Sequence, residues 1–333
     1  MPGPYVGKVI RVHSDACIDE GSARADQAVV NRMIAEGMRR LTGEKDDRTA
    51  WSSFFQPEDI VGIKLNCSGA PHIRSSPEIV AAIVENLVAL GVSPANIWLY
   101  ERFLDQLSSV GYDRYLRHVP NIVAVETVPG NVLGYDPLTY VEVNFFGEED
   151  TRSNMVRLVT EKFTKIINVP NMKDHAAAGV TGCLKNIAYG NFSNVARSHY
   201  AAKTNTFSFI GTLASVEPLR SKSVLHVMDG LRGIWHGGPF YKDDRFCFYP
   251  KQIWLGTDPI AMDRLLIDVI EAKRKQEGAI SVFDRSPSNV KPGDDLNPDV
   301  NHFIREPGHI EYASRLGLGT YDKSLIHEEN IRL

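Results

Sequence analysis

The stretch Ile60 to Cys67 reads IVGIKLNC. It is apolar at most positions, not at alternate ones, which is the pattern of a strand covered on both faces of a parallel sheet. Such a strand needs helices on both sides, and the next residues supply one. Pro77 suits a first helical position, Ser75 or Ser76 an N-cap, and Glu78 the first turn. Ile79, Ile83, Leu87 and Leu90 form a buried stripe, and Gly91 is a stop signal. Asn96 to Tyr100 (NIWLY) is a second strand followed by Glu101-Arg102, so the segment is a β-loop-α-β unit.

The alternation continues. Val6–His13, Ile122–Glu126, Lys165–Val169, Ser223–Met228 and Lys251–Leu255 have strand patterns. Arg24–Leu41 and a segment opening at Pro259 have helical ones. The expected fold is α/β, with a mainly parallel sheet, helices on both faces and loop insertions at 128–150, 191–205, 231–250 and 280–305. No repeat or linker interrupts the chain. One domain over 1–333 is expected, with sub-lobes 1–150 and 151–333 if it divides.

Composition narrows the function. Of 333 residues, 43% are hydrophobic and 23% charged, as in a soluble globular protein whose core needs no disulfide or metal staple. A net charge of −4 argues against a nucleic-acid partner, which calls for a basic face. Cys17, Cys67, Cys183 and Cys247 show no CxxC or CxxH spacing, so no iron–sulfur cluster or zinc ribbon is expected. No apolar run approaches the roughly 20 residues of a membrane span. The opening MPGPYVGKVI has neither n-region nor h-region. The expected location is cytoplasmic as the chain stands, or exported with a leader removed.

Chemistry concentrates at Ile166–Gly190 (IINVPNMKDHAAAGVTGCLKNIAYG). A strand stops at Pro170 and releases Lys173, Asp174, His175, Thr181, Lys185 and Asn186. Ligands of open α/β sheets bind beyond the carboxyl ends of strands. Lys64, near its strand end, is either an ion-pair partner or an anion ligand. Asn66, Lys173, Asn186 and Arg197 complete a polar, partly cationic rim. Thr181-Gly182 can cap a helix or present its N-terminal N–H groups to an anion. His175 and Lys185 are candidate proton-transfer groups. Asp229, expected at a strand end, and His236, in a glycine-rich lid, are candidates for the same work. His199, with Arg197 and Lys203, lies in a polar loop that could close over a ligand. If a divalent metal is held, His175, His199, Asp229 and His236 are its candidate ligands, although no HExxH-type spacing supports one. Asp258 before Pro259 is expected to cap a helix, Asp263 to be solvated or paired, and His226 to be a core histidine.

These stretches resemble the DUF362 family of bacterial and archaeal proteins. The matching segments are VGIKLNC with its Ser-Pro helix, NVPNMKDHAAAGVTGCLKNIAYG, MDG with a glycine-rich tail, GTDPIAMD and ASRLGLG. The resemblance covers roughly residues 57–320 and implies no general reaction. Many members look like carriers of a four-cysteine iron–sulfur module, whose spacing is missing here. A more distant likeness to nickel-pincer lactate racemases, which set histidines and a lysine around an organonickel cofactor, rests on His175, Lys185 and an impression of the fold. It transfers no residue roles.

The expected function is an enzyme of racemase or lyase type, acting by proton transfer on a small carboxylate or phosphate. The alternatives are a non-catalytic protein that binds a cofactor or metabolite in the same crevice, and a redox-associated protein without an iron–sulfur module of its own.

Overall fold

The computed structural model describes residues 1–128, 132–145, 147, 149–199 and 204–333. Among these residues the main sheet has eleven strands. In chain order they are β1 (Lys8–His13), β2 (Val61–Lys64), β3 (Ile97–Phe103), β4 (Asn121–Glu126), β5 (Lys165–Asn168), β6 (Asn171–His175), β7 (Gly179–Thr181), β8 (Ser223–Ile234), β9 (Cys247–Phe248), β10 (Gln252–Gly256) and β11 (His327–Arg332). The central order is β11–β1–β10–β8–β5–β2–β3–β4. From β8 to β4 every neighbouring pair is parallel, as is β11 with β1, whereas β10 runs antiparallel to both β1 and β8. The sheet is therefore mixed but mainly parallel.

Helices cover both faces because neighbouring residues of each strand feed different cores. Ile63, Leu65, Ile97, Leu99, Ile167, Val227 and Leu255 pack with helices α1 (Gln27–Thr42) and α2 (Pro77–Leu90). Val9, Tyr100, Ile166, Met228 and Trp254 pack on the opposite side. There they meet α3 (Cys183–Tyr189), α4 (Thr206–Ala214), α5 (Pro259–Gln276) and α6 (His309–Arg315). Each fully buried Ile, Leu or Val is worth about 1.5–3 kcal/mol, so both faces contribute to stability.

Local chemistry sets the helix ends. Asp26 accepts a hydrogen bond from Val29 N–H, so α1 begins at Gln27, while Arg24 and Ala25 form a short strand instead. Gly43 and Gly91 end α1 and α2 in the left-handed conformation, at φ of 80° and 115°. Asp258 caps α5 as expected, accepting from Ala261 N–H, and its other oxygen accepts from Gly7 and Thr320 N–H.

Further expectations change. The strand expected to break at Pro170 is followed at once by more sheet: β6 and β7 form an antiparallel hairpin, with β6 also parallel to β8. The strand expected to stop at Met228 runs on to Ile234, so Asp229 is in mid-strand. Within 128–150, Tyr135–Glu142 pairs with Arg152–Val156 as a separate two-stranded sheet. Residues 129–131, 146 and 148 of that insertion, and Tyr200 to Lys203 of the next, lie outside the described residues.

Candidate functional site

A cavity of about 550 Å³ opens at the carboxyl ends of β2 and β3, between the β6–β7 hairpin, α3 and the loops 190–199, 237–242 and 295–303. Lys64 and Asn66 reach it because they alternate with Ile63 and Leu65, which point to the other core.

A directed chain of hydrogen bonds fixes one wall. Lys173, which burial pushes down to about 7 as it does Lys185, donates to Asn66 Oδ1 and to the carbonyl and hydroxyl of Ser68. Asn66 Nδ2 must then donate onward, to Asn186 Oδ1 at 3.0 Å. Asn186 Nδ2 donates to Asn168 Oδ1 at 2.7 Å, and Asn168 Nδ2 to the Cys183 carbonyl at 2.8 Å. The Asn168 amide also lies 3.0 Å from His226 Nδ1, so His226 is a core histidine, with Nε2 unpartnered among the described residues. Asn66 and Asn186 thus line the cavity as a rigid amide pair. Lys173 is fully buried behind them and does not line it.

Lys64 is both an ion-pair partner and a cavity residue. Its ammonium lies 2.9 Å from Glu101, whose carboxylate also accepts from Cys67 and Arg102 N–H. Arg102 in turn pairs with Glu126 at 2.8 Å.

Lys185 is different. It is 8% exposed, lines the cavity, and has no acidic partner among the described residues. Its ammonium lies 4.4 Å from the centre of the Tyr189 ring, one helical turn on. Burial, with the nearby charges of Lys173 and Arg102, pushes it down to about 7.

His175 and His199 complete the cluster. Their rings are 5.2 Å apart, and His199 is 5.4 Å from Tyr189. His175 Nδ1 accepts from Ala177 and Ala178 N–H at 3.1 and 3.2 Å. Its proton is therefore on Nε2, making His175 a neutral hydrogen-bond donor with no lone pair free to act as a base. His199 has the opposite tautomer. Ser198 Oγ donates to the Val195 carbonyl at 2.8 Å, so it accepts from His199 Nδ1–H at 3.2 Å. His199 Nε2 is left as a buried, unpartnered acceptor. Burial and the charge of Lys185 hold both rings neutral, His199 down to about 3 and His175 well below its usual range. The Thr181 hydroxyl, also on the wall, is buried without a partner among the described residues.

Other expected site residues lie elsewhere. The N-terminus of α3 is not open to an anion: Asp263, fully buried, accepts from Cys183 N–H at 2.6 Å and Leu184 N–H at 2.8 Å. Asp263 is therefore neither solvated nor in an ion pair, and Thr181 does not cap the helix. Asp229 accepts from Ser76 N–H at 2.7 Å and Leu231 N–H at 3.0 Å, holding the start of α2 and facing away from the cavity. Burial raises it to about 6. His236 is 3% exposed and packs behind the cavity, with Nδ1 3.0 Å from Arg274. Arg197 donates to the carbonyls of Val143, Asn194 and Thr151 and stacks on Phe145 and Phe209, so it ties down Val143, Phe145 and Thr151. Lys203 lies outside the described residues.

The four candidate metal ligands do not converge. Asp229 and His236 are off the cavity, and no group of three or more His, Cys, Asp or Glu side chains among the described residues is arranged to hold an ion. All four cysteines are free thiols.

Sequence reasoning missed Glu101, Arg102, Tyr189 and the buried Asp174–Arg305 pair. Glu101 and Arg102 end the strand next to β2, and Tyr189 is four residues after Lys185, so all three had a local signal. Arg305 had none. It reaches Asp174 from 131 residues away and anchors the 295–305 loop under the hairpin.

Comparison with curated proteins gives no match. The family model described as "Domain of unknown function (DUF362)" matches residues 61–268, a span that holds β2 to β10, the α3 cluster and Asp263. That match bears on the family resemblance and not on the racemase likeness. The chain belongs to the DUF362 family.

Proposed function

We propose that the protein is an enzyme that moves a proton on a small carboxylate or phosphate, in a reaction of racemase or lyase type. The observation that carries this is Lys185, a buried lysine on the cavity wall with no carboxylate partner among the described residues, which burial pushes down to about 7. As the ammonium it draws an anion into a water-poor site. As the amine, present in quantity at neutral pH, it takes up a proton, and a pKa near the working pH favours both directions of transfer.

Around it, the His175 Nε2–H and the Thr181 hydroxyl are donors for the anion's oxygens, and His199 Nε2 is an acceptor for a protic group. Lys64, Asn66, Asn186 and Lys173 are already bonded to one another or to Glu101, so they shape the wall. Asp229 and His236 take no part.

The test is exchange of the α-hydrogen of simple carboxylates with deuterium from solvent, followed by NMR. Exchange that needs Lys185 and is lost in Lys185→Met is the expected result. Anion binding that depends on Lys185 with no exchange on any carboxylate would make the protein a non-catalytic binder. Exchange unaffected by Lys185→Met would overturn the assignment of the site.

A further inference from the structure

We infer that the cavity takes a monoanion with a bulky apolar or aromatic body, in preference to a dianion or a two- or three-carbon acid. The inference rests on the proposed anion-handling role of Lys185 and adds the class of molecule.

Most of the cations around the wall are already neutralised. Lys64 faces Glu101 at 2.9 Å, Arg102 faces Glu126 at 2.8 Å, and Lys242 faces Asp295 at 3.0 Å. Each of these cations already has its carboxylate. His175 and His199 are neutral, and His302 Nδ1 accepts from Gly293 N–H at 2.8 Å. Lys185 is left as the one unpaired cation lining the cavity among the described residues. Behind the wall, the donors of Lys173 go to Asn66 and Ser68, and Arg305 and Arg274 gather on Asp174. None of these reaches the cavity. One negative charge is matched; a second would be desolvated without a partner, at a large cost.

Much of the remaining surface is apolar. Phe103, Tyr189, Val195, Pro239, Phe240 and Phe303 line the same space. At about 550 Å³ it falls in the range of sites for ligands of drug size and is far larger than a three-carbon acid fills. An apolar body of matching size removes these aromatic faces from water, and that burial adds affinity that a bare carboxylate cannot gain.

Four probes separate charge from body: phenylacetate, phenylmalonate, phenethyl alcohol and acetate, titrated calorimetrically into the full chain. Phenylacetate is expected to bind at least tenfold more tightly than each of the others. Lys185→Met should remove its advantage over the alcohol. Phe240→Ala should narrow its advantage over acetate, with thermal unfolding confirming that both variants fold. If phenylmalonate or acetate matches phenylacetate while Lys185→Met still abolishes binding, the inference falls and the anion reading stands. If the alcohol matches phenylacetate, if Lys185→Met changes nothing, or if no probe binds up to its solubility limit, both fall.

Discussion

Asp263 accepts the backbone N–H of Cys183 at 2.6 Å, across 80 residues of sequence. It also accepts that of Leu184, so a carboxylate on α5 caps the helix that carries Lys185, Asn186 and Tyr189. The cap that local sequence would assign to Thr181 comes instead from tertiary structure.

Burial pushes Asp263 up to about 7 from 3.8, against the opposing pull of its two N–H donors. A carboxyl raised in the folded state favours the fold most below its unfolded value, and this stability is lost as pH rises through the folded one. Asp263→Asn keeps one acceptor and removes the titration. Its unfolding free energy should fall less steeply than the parent's between pH 3.8 and about 7. Asp263→Ala loses the cap, at a cost of about 0.5–2 kcal/mol. Urea unfolding across this range checks both, and parallel pH profiles for parent and Asp263→Asn would refute the assignment.

Lys185 has the opposite sign. Its folded-state value lies near 7, its unfolded one near 10.5. Between the two the unfolded chain binds more protons, so stability climbs as pH rises. Lys185→Met, of similar shape and without charge, should be more stable than the parent at or below pH 7 and should lose part of that climb. Denaturant titrations on either side of pH 7 measure this. A variant less stable at low pH would mean that Lys185 is paired there.

Glu101 is the counter-charge of Lys64 in a setting where both side chains are less than a tenth exposed. Removing one partner of a buried pair typically costs about 3–5 kcal/mol, because the other stays behind uncompensated. Glu101→Gln is therefore expected to destabilise by that order. Adding Lys64→Met should recover much of the loss, and a double-mutant cycle reads the coupling directly. Additive effects would argue against the pair.

Gly238 sits where a Cβ would lie 1.9 Å from the Asp174 carbonyl oxygen. That oxygen belongs to backbone within β6 and cannot swing aside. Gly238→Ala should push the 237–242 wall away from the hairpin, with a loss of about 1–3 kcal/mol and altered anion binding. Thermal unfolding and the phenylacetate titration would show it, and unchanged values in both would mean that the loop moves freely.

Much of the scaffold was legible in the sequence. The continuous apolar strands, Pro77 and Pro259 at helix starts, Gly43 and Gly91 at helix stops, and the Asp258 cap are set by residues close together in the chain, through steric preference and short-range hydrogen bonding. The rule that ligands gather at strand carboxyl ends pointed to Lys64, Asn66, His175, Thr181, Lys185 and Asn186, and these line one cavity together with His199 of the polar loop. It failed for Asp229, because pairing with β10 extends β8 past the expected stop and turns that carboxylate toward α2. It failed for Arg197 and His236, whose partners lie on distant segments.

What sequence by itself determined is which elements form and which face of each is apolar, since periodicity and capping are local. What only tertiary structure decided is the state of the polar groups. Whether a lysine has a carboxylate beside it and whether a helix end is open depend on partners 37 and 79 residues away, and which nitrogen of His175 or His199 carries the proton depends on the path that the folded backbone takes around each ring. Burial then magnifies those choices, because a charge cut off from water is governed by its few remaining neighbours.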